Sequence, residues 1–243
     1  MKINKRIDSL SLKIISNLVI SVLMLSIGIL CLAPTQKDIA TEGNESNVYR
    51  SATQNAKGVS LMFIVYWGTD EVYQILDILT EHEAKATFFI GGCWADDNVE
   101  CLKEIYAQGH EIGNHGYFHK EHSKMDLSAN QKEIGDCNRF IKLALGMDCK
   151  LFAPPSGAYG VDTITACKSL HMKTILWSKD TIDWRDKNPS LIYTRATKNV
   201  QSGDFILMHP MAATVSAVDD ILKYYENNSL KVVTVSENLQ ENG

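Results

Sequence analysis

Residues 109–119 read GHEIGNHGYFH, a short strand pattern that breaks at Asn114 into a turn and carries two imidazoles, His115 and His119, four positions apart. If the backbone turns as it leaves the strand, side chains at that spacing converge on one cation, and neutral imidazole is the commonest protein ligand for zinc and similar metals. The spacing alone says little, because histidines fall four apart by chance; the surrounding chain gives it weight.

Outward from this stretch, strand and helix patterns alternate. Residues 59–66 (VSLMFIVY) are nearly all apolar, as suits a strand covered on both faces. Residues 70–82 then place Val72, Ile75, Leu76 and Leu79 on one side of a helix. A strand is expected at 87–91, a helix at 98–107 and a strand at 111–114. Residues 128–145 form a long amphipathic pattern, with Ile134, Cys137, Ile141, Ala144 and Leu145 at core spacing. Further strands are expected at 151–154, 172–178, 204–209 and 231–235, with helices at 161–170, 191–200 and 215–227. About seven strands trading places with helices predict an α/β fold built on a parallel, barrel-like sheet, and in such folds reactive side chains gather at the carboxyl ends of the strands. Those ends hold Tyr66 and Trp67, Asn114 and His115, Pro154 and Pro155, the run from Asp180 to Trp184, and His209 with Pro210.

The amino-terminal region has a different character. Residues 1–13 carry Lys2, Lys5, Arg6 and Lys13 against Asp8 alone, and 14–33 is a 20-residue run whose polar side chains are Ser16, Asn17, Ser21 and Ser26. That length suffices to cross a bilayer, and positive charge before it predicts the amino terminus inside and the rest of the chain outside. Cys31 and Pro34 flank the one reasonable cleavage point poorly, so the run reads as an uncleaved signal anchor. The expected organisation is a basic cytoplasmic tail (1–13), a transmembrane anchor (14–33), a polar linker (34–57) and an outer catalytic domain (58–243). Beyond the tail, 20 basic residues face 28 acidic ones, a formal charge of −8, which excludes an electrostatic footprint for nucleic acid. Five cysteines follow the anchor, at 93, 101, 137, 149 and 167. Bridges 93–101 or 137–149 are open, as are reduced, half-buried thiols.

Taken in order, the motifs over 58–235 resemble the polysaccharide deacetylases of carbohydrate esterase family four. The family's H-[ST]-x-x-H appears as HGYFH, with His115 and His119 matching both metal ligands and Gly116 where Ser or Thr is usual. DTIDW matches the segment whose aspartate orients the catalytic histidine, here Asp183, beside a groove tryptophan, Trp184. ILMHP places Leu207 at the acetyl-pocket leucine and His209 at the general acid. The resemblance implies a deformed (β/α) barrel, a divalent metal cofactor such as zinc, and removal of acetyl groups from cell-wall glycan, peptidoglycan or chitin-like N-acetylglucosamine. FAPPSG and DTIDW look most like the sporulation-associated branch.

Two motifs depart from the family. At T-F-D-D-G-P, whose aspartates are base and metal ligand, this chain has MFIVYWG, so Ile64 and Val65 replace both carboxylates. At R-x-P-Y, whose arginine pairs with the base, it has Ala153 and Ser156. Losing both partners together is physically coherent, because an unpaired buried arginine costs about 3 to 5 kcal/mol. A hydrolase would then need a substitute base, with Asp70, Asp180 and Glu121 as candidates. The alternative is a glycan-binding protein without catalysis, whose stacking platforms would be Tyr66, Trp67, Trp94 and Trp184.

Overall fold

The computed structural model describes residues 47–52 and 56–239. All of them lie in one unit spanning 42–243. The expected anchor at 14–33 lies outside the described residues, among which no helix is long and apolar enough to cross a membrane.

Among the described residues, eight parallel strands form one sheet: β1 (Val48–Tyr49), β2 (Ser60–Val65), β3 (Thr87–Ile90), β4 (Glu111–Asn114), β5 (Leu151–Phe152), β6 (Lys173–Ile175), β7 (Lys179–Asp180) and β8 (Phe205–Met208). Their order is β1-β6-β5-β4-β3-β2-β8-β7. The helices are α1 (Thr69–Glu81), α2 (Gly92–Asp97), α3 (Val99–Ala107), α4 (Leu127–Leu145), α5 (Val161–Ser169), α6 (Asp183–Asp186), α7 (Pro189–Thr197), α8 (Ala212–Asn227) and α9 (Val235–Asn238).

Two apolar layers follow from the alternation of side chains along a strand. Leu61, Phe63 and Val65 of β2 pack outward with Val72, Ile75, Leu76 and Leu79 of α1, whereas Met62 and Ile64 point into the curl of the sheet with Phe89, Ala153, Ile175 and Leu207. The stripe seen in the sequence of α4 is buried as expected at Ile134, Cys137 and Ile141.

Several sequence expectations need correction. The last strand, at 231–235, is only a single bridge from Val232 to Val59. Thr234 caps α9 in a reciprocal pair with Glu237, which draws the chain into a helix before a ladder can form. The expected linker ends early: β1 pairs with β6, and Ser51 forms a bridge to Asp204, so 48–52 spans the gap between the two ends of the sheet. Helix α2 was not foreseen. It forms because the N–H groups of Gly92 and Cys93 donate to the carbonyls of Gly116 and Tyr117, and a Cβ on Gly92 would lie 2.3 Å from the Tyr117 ring. Neither cysteine bridge exists; the five cysteines from Cys93 to Cys167 are free, and Cys137 and Cys149 instead donate to the carbonyls of Ile90 and Ile112. Burial pushes the Cys149 thiol up to about 12.

Candidate functional site

At the carboxyl ends of the strands lies a cavity of about 350 Å³ lined by Ile64, Trp67, His115, His119, Pro154, Ser156, Trp177, Asp180, Trp184, Leu207 and His209. Most residues singled out by sequence are therefore brought together.

The histidine pair is set by the exit from β4. Asn114, the last residue of β4, accepts from Gly116 N at 2.7 Å and donates to Ile134 O at 2.8 Å. Gly116 takes a positive φ of 77° and His119 one of 53°, so the chain doubles back and brings the two imidazoles to 5.1 Å between ring centres, edge to face. Glu133 on α4, buried, clamps the turn by accepting from Phe118 N. His115 donates from Nδ1 to the Ala153 carbonyl at 2.7 Å, which leaves its Nε2 as a lone-pair atom, buried and without a protein partner. Burial first, and His119 second, lower the His115 pKa to about 3. Burial likewise lowers His119. Both rings are thus held as neutral ligands or acceptors.

The opposite wall is built by β8 and the loop that begins α6. Leu207 and His209 stand two residues apart and share a face. His209 Nδ1 donates to Asp183 Oδ1 at 2.7 Å, leaving its Nε2 toward the cavity. Trp67 lies parallel over the His209 ring, at 5.5 Å and 4°. Gly68 makes that approach possible: its φ is 76°, and a Cβ there would stand 2.2 Å from the Pro210 carbonyl oxygen. Trp184, half-exposed, completes the rim.

The remaining expected residues divide. Ile64 lines the cavity, but Val65 belongs to the outer, helix-facing layer, because adjacent strand residues point to opposite faces. Of the three candidate bases only Asp180 lines the cavity; Asp70 is exposed in the first turn of α1, and Glu121 is exposed and paired with Lys124 at 2.9 Å. Tyr66 rests against His119 at 4.8 Å rather than on the cavity wall, its ring packed over Gly91. Trp94 is no platform: it is buried and donates to Thr69 Oγ1 at 3.1 Å. Trp177 was missed. It ends the expected strand 172–178, so the strand-end rule that selected Trp67 would have found it.

Two neutral imidazoles suit a cation, and the orphaned His115 Nε2 has the geometry of a ligand oriented by its other nitrogen. A resident catalytic zinc takes three protein ligands. Among the described residues no group of three His, Cys, Asp or Glu side chains is placed to hold a metal ion. The donor set does not fit, since the position on β2 that faces the cavity is Ile64.

Residues 51–175 match the family model for polysaccharide deacetylase. The chain belongs to the polysaccharide deacetylase family. Among relatives of this deacetylase-family chain, YlxY of Bacillus subtilis (strain 168) is 35% identical over 183 residues, covering 75% of this chain and 57% of that protein. A peptidoglycan-N-acetylglucosamine deacetylase of Bacillus cereus is 33% identical over 181 residues, covering 71% and 84%. The crystal structure of a pseudoenzyme of carbohydrate esterase family four from Bacillus anthracis superposes with a TM-score of 0.77 at 32% identity, covering 80% of this chain and 69% of that one. The deacetylase-family chain therefore spans little more than half of one relative and most of another.

Proposed function

We propose that this domain binds N-acetylated sugars of cell-wall glycan in the strand-end cavity, as a polysaccharide deacetylase-type protein that retains the substrate-holding and proton-donating half of the site. The observation that carries this is the pairing of an intact Asp183–His209 couple with Ile64 in one cavity. His209, oriented through Nδ1, can present Nε2 to the nitrogen of an acetamido group, and Leu207, Trp67 and Trp184 offer apolar surface to the acetyl group and sugar ring. What activates water in the family is replaced by an alkyl side chain, which neither holds a proton nor binds a cation. Recognition without turnover is the reading this favours, and the match to a pseudoenzyme structure supports it.

A second reading, slow deacetylation, is favoured by Asp180, which lines the same cavity. There Asp180 would take the proton of the attacking water and His209 would protonate the departing amine. The zinc expected from the family resemblance would find His115 and His119 but no carboxylate partner on β2, so no step is assigned to it. The basic segment 1–13 ahead of the apolar run 14–33 supports a single-pass, membrane-anchored placement with this domain facing the wall.

The deciding experiment exposes the full chain, in mild detergent, to acetylated chitooligosaccharide and peptidoglycan fragments and follows binding and acetate release together. Binding without acetate is the expected result. Acetate release abolished by Asp180→Asn would establish the hydrolase instead.

A further inference from the structure

We propose that a second cavity, beside the first, binds the peptide stem of peptidoglycan, so that the protein prefers peptide-bearing wall glycan to chitin-like chains. This rests on the glycan-binding reading above and narrows its substrate class. The second cavity, of about 570 Å³, has Trp67, Glu71, Lys187, Pro210, Met211 and Ala213 in its walls. The two cavities meet at Trp67, which lines both, and at the His209–Pro210 peptide, whose residues line one cavity each. Gly68 holds this shared wall together by its close approach to the Pro210 carbonyl. One extended ligand can therefore occupy both cavities.

The second cavity carries one side chain of each sign. Lys187 ends α6 in the left-handed region, at φ 47°. Its side chain makes no hydrogen bond or ion pair among the described residues, although the basic groups near it are engaged: Arg185 and Arg195 both bind Asp186. Glu71, half-buried in the first turn of α1, likewise has no donor to its carboxylate among the described residues. The helix dipole favours a carboxylate at that place without supplying a partner for its oxygens. Lys187 and Glu71 thus share a cavity without pairing with each other, and each is open to a ligand. Two opposite charges in one cavity fix the direction in which a ligand carrying both signs can lie.

Peptidoglycan offers such a ligand and chitin does not. Its peptide stems hang from alternate sugars and carry free carboxylates together with the amine of a diamino acid, so a carboxylate can meet Lys187 and an ammonium Glu71. Three extended residues reach about 10 Å, enough to run from a sugar in the first cavity past the Trp67 indole into the second.

The test titrates the full chain in mild detergent, by calorimetry, with a peptidoglycan tetrasaccharide bearing its stems, with the same tetrasaccharide after the stems are cut off, and with chitotetraose. The stem-bearing glycan is expected to bind roughly 4- to 25-fold more tightly than the cut one, two exposed ion pairs at about 2- to 5-fold each. Lys187→Gln and Glu71→Gln should each remove one such factor and leave the affinity for the cut tetrasaccharide and for chitotetraose unchanged. The advantage should also shrink at about 1 M sodium chloride, where the screening length is about 3 Å. Equal binding of stem-bearing and cut glycan to the unaltered chain would overturn the stem cavity while leaving glycan binding in place. Failure of all three glycans to bind would overturn the glycan reading and the stem cavity with it. An advantage undiminished in the folded double variant would overturn the role of the two charges.

Discussion

Asp183 holds His209 at two points: Oδ1 accepts from the imidazole Nδ1 at 2.7 Å and Oδ2 from the His209 main-chain N–H at 2.6 Å. Side chain and backbone are thus fixed by one buried carboxylate, which also anchors Trp184 and Thr214. The link joins α6 to the end of β8, and it determines which nitrogen of His209 faces the ligand.

Removing that carboxylate strands four donors. Asp183→Ala should therefore destabilise the protein by about 3 to 5 kcal/mol, the cost of breaking a buried charged network by deleting one partner. Urea unfolding of the two proteins measures this, and a loss below about 1 kcal/mol would show that the donors find water instead.

The floor of the cavity is the route to a metal. Ile64→Asp sets a carboxylate in the cavity with His115 and His119, which share it in the native chain. The variant is expected to melt at a higher temperature when zinc is added, by the equivalent of about 2.7 kcal/mol at a hundredfold excess over the dissociation constant. The unaltered chain, with two imidazoles alone, should show no such rise, and chelation should leave its melting temperature where it was. Val65→Asp is expected to give no zinc response and to destabilise, because Val65 faces the helix layer.

The exposed indoles can be separated from folding. Trp184, 50% exposed, and Trp67, 41% exposed, contribute little core packing. Trp184→Ala should weaken glycan binding by about 1 to 2 kcal/mol, the loss typical of truncating an aromatic contact at a binding centre, with the melting temperature nearly unchanged. Calorimetric titration beside a thermal melt reads both.

A pH effect is expected far from the cavity. His82, at the end of α1, is bonded through Nδ1 to Glu226 at 2.7 Å and through Nε2 to Asp219 at 2.9 Å, both on α8. Burial works against the imidazolium, but the hydrogen bonds to Glu226 and then Asp219 outweigh it and raise the His82 pKa above its ordinary 6.5. A raised folded pKa means that the stabilisation is fully present below the unfolded value and is lost as pH rises through the folded one. His82→Gln should accordingly lower the melting temperature more at about pH 5.5 than at about pH 9, and a constant difference across that range would show that the ion pairs carry no stability.

Much of this was legible in the chain because it is local. The continuous apolar run of 59–66, the helical stripe of 128–145 and the strand at 111–114 are properties of neighbouring residues, and the structure places a strand, a helix and a strand there. Where local pattern competed with a cap, the cap won: 231–235 has strand composition, yet Thr234 and Glu237 close a helical turn. The tryptophans show the same limit. Trp67 and Trp94 both follow strand patterns, but Trp67 projects over His209 while Trp94 is buried against Thr69, a difference made by the loops that meet around them.

The sequence by itself determined the parallel α/β architecture, the family and the spacings that pair His115 with His119 and Asp183 with His209, since each is written in residue identity and spacing. Only the tertiary structure decided which of Ile64 and Val65 faces the cavity, which candidate acid lies near it, and that among the described residues no carboxylate joins the two histidines in a metal site. Those answers depend on the face of β2 that each side chain takes and on strands distant in sequence, β2, β4, β7 and β8, ending side by side. Such distances are fixed by how the sheet curls, and spacing along the chain does not encode them.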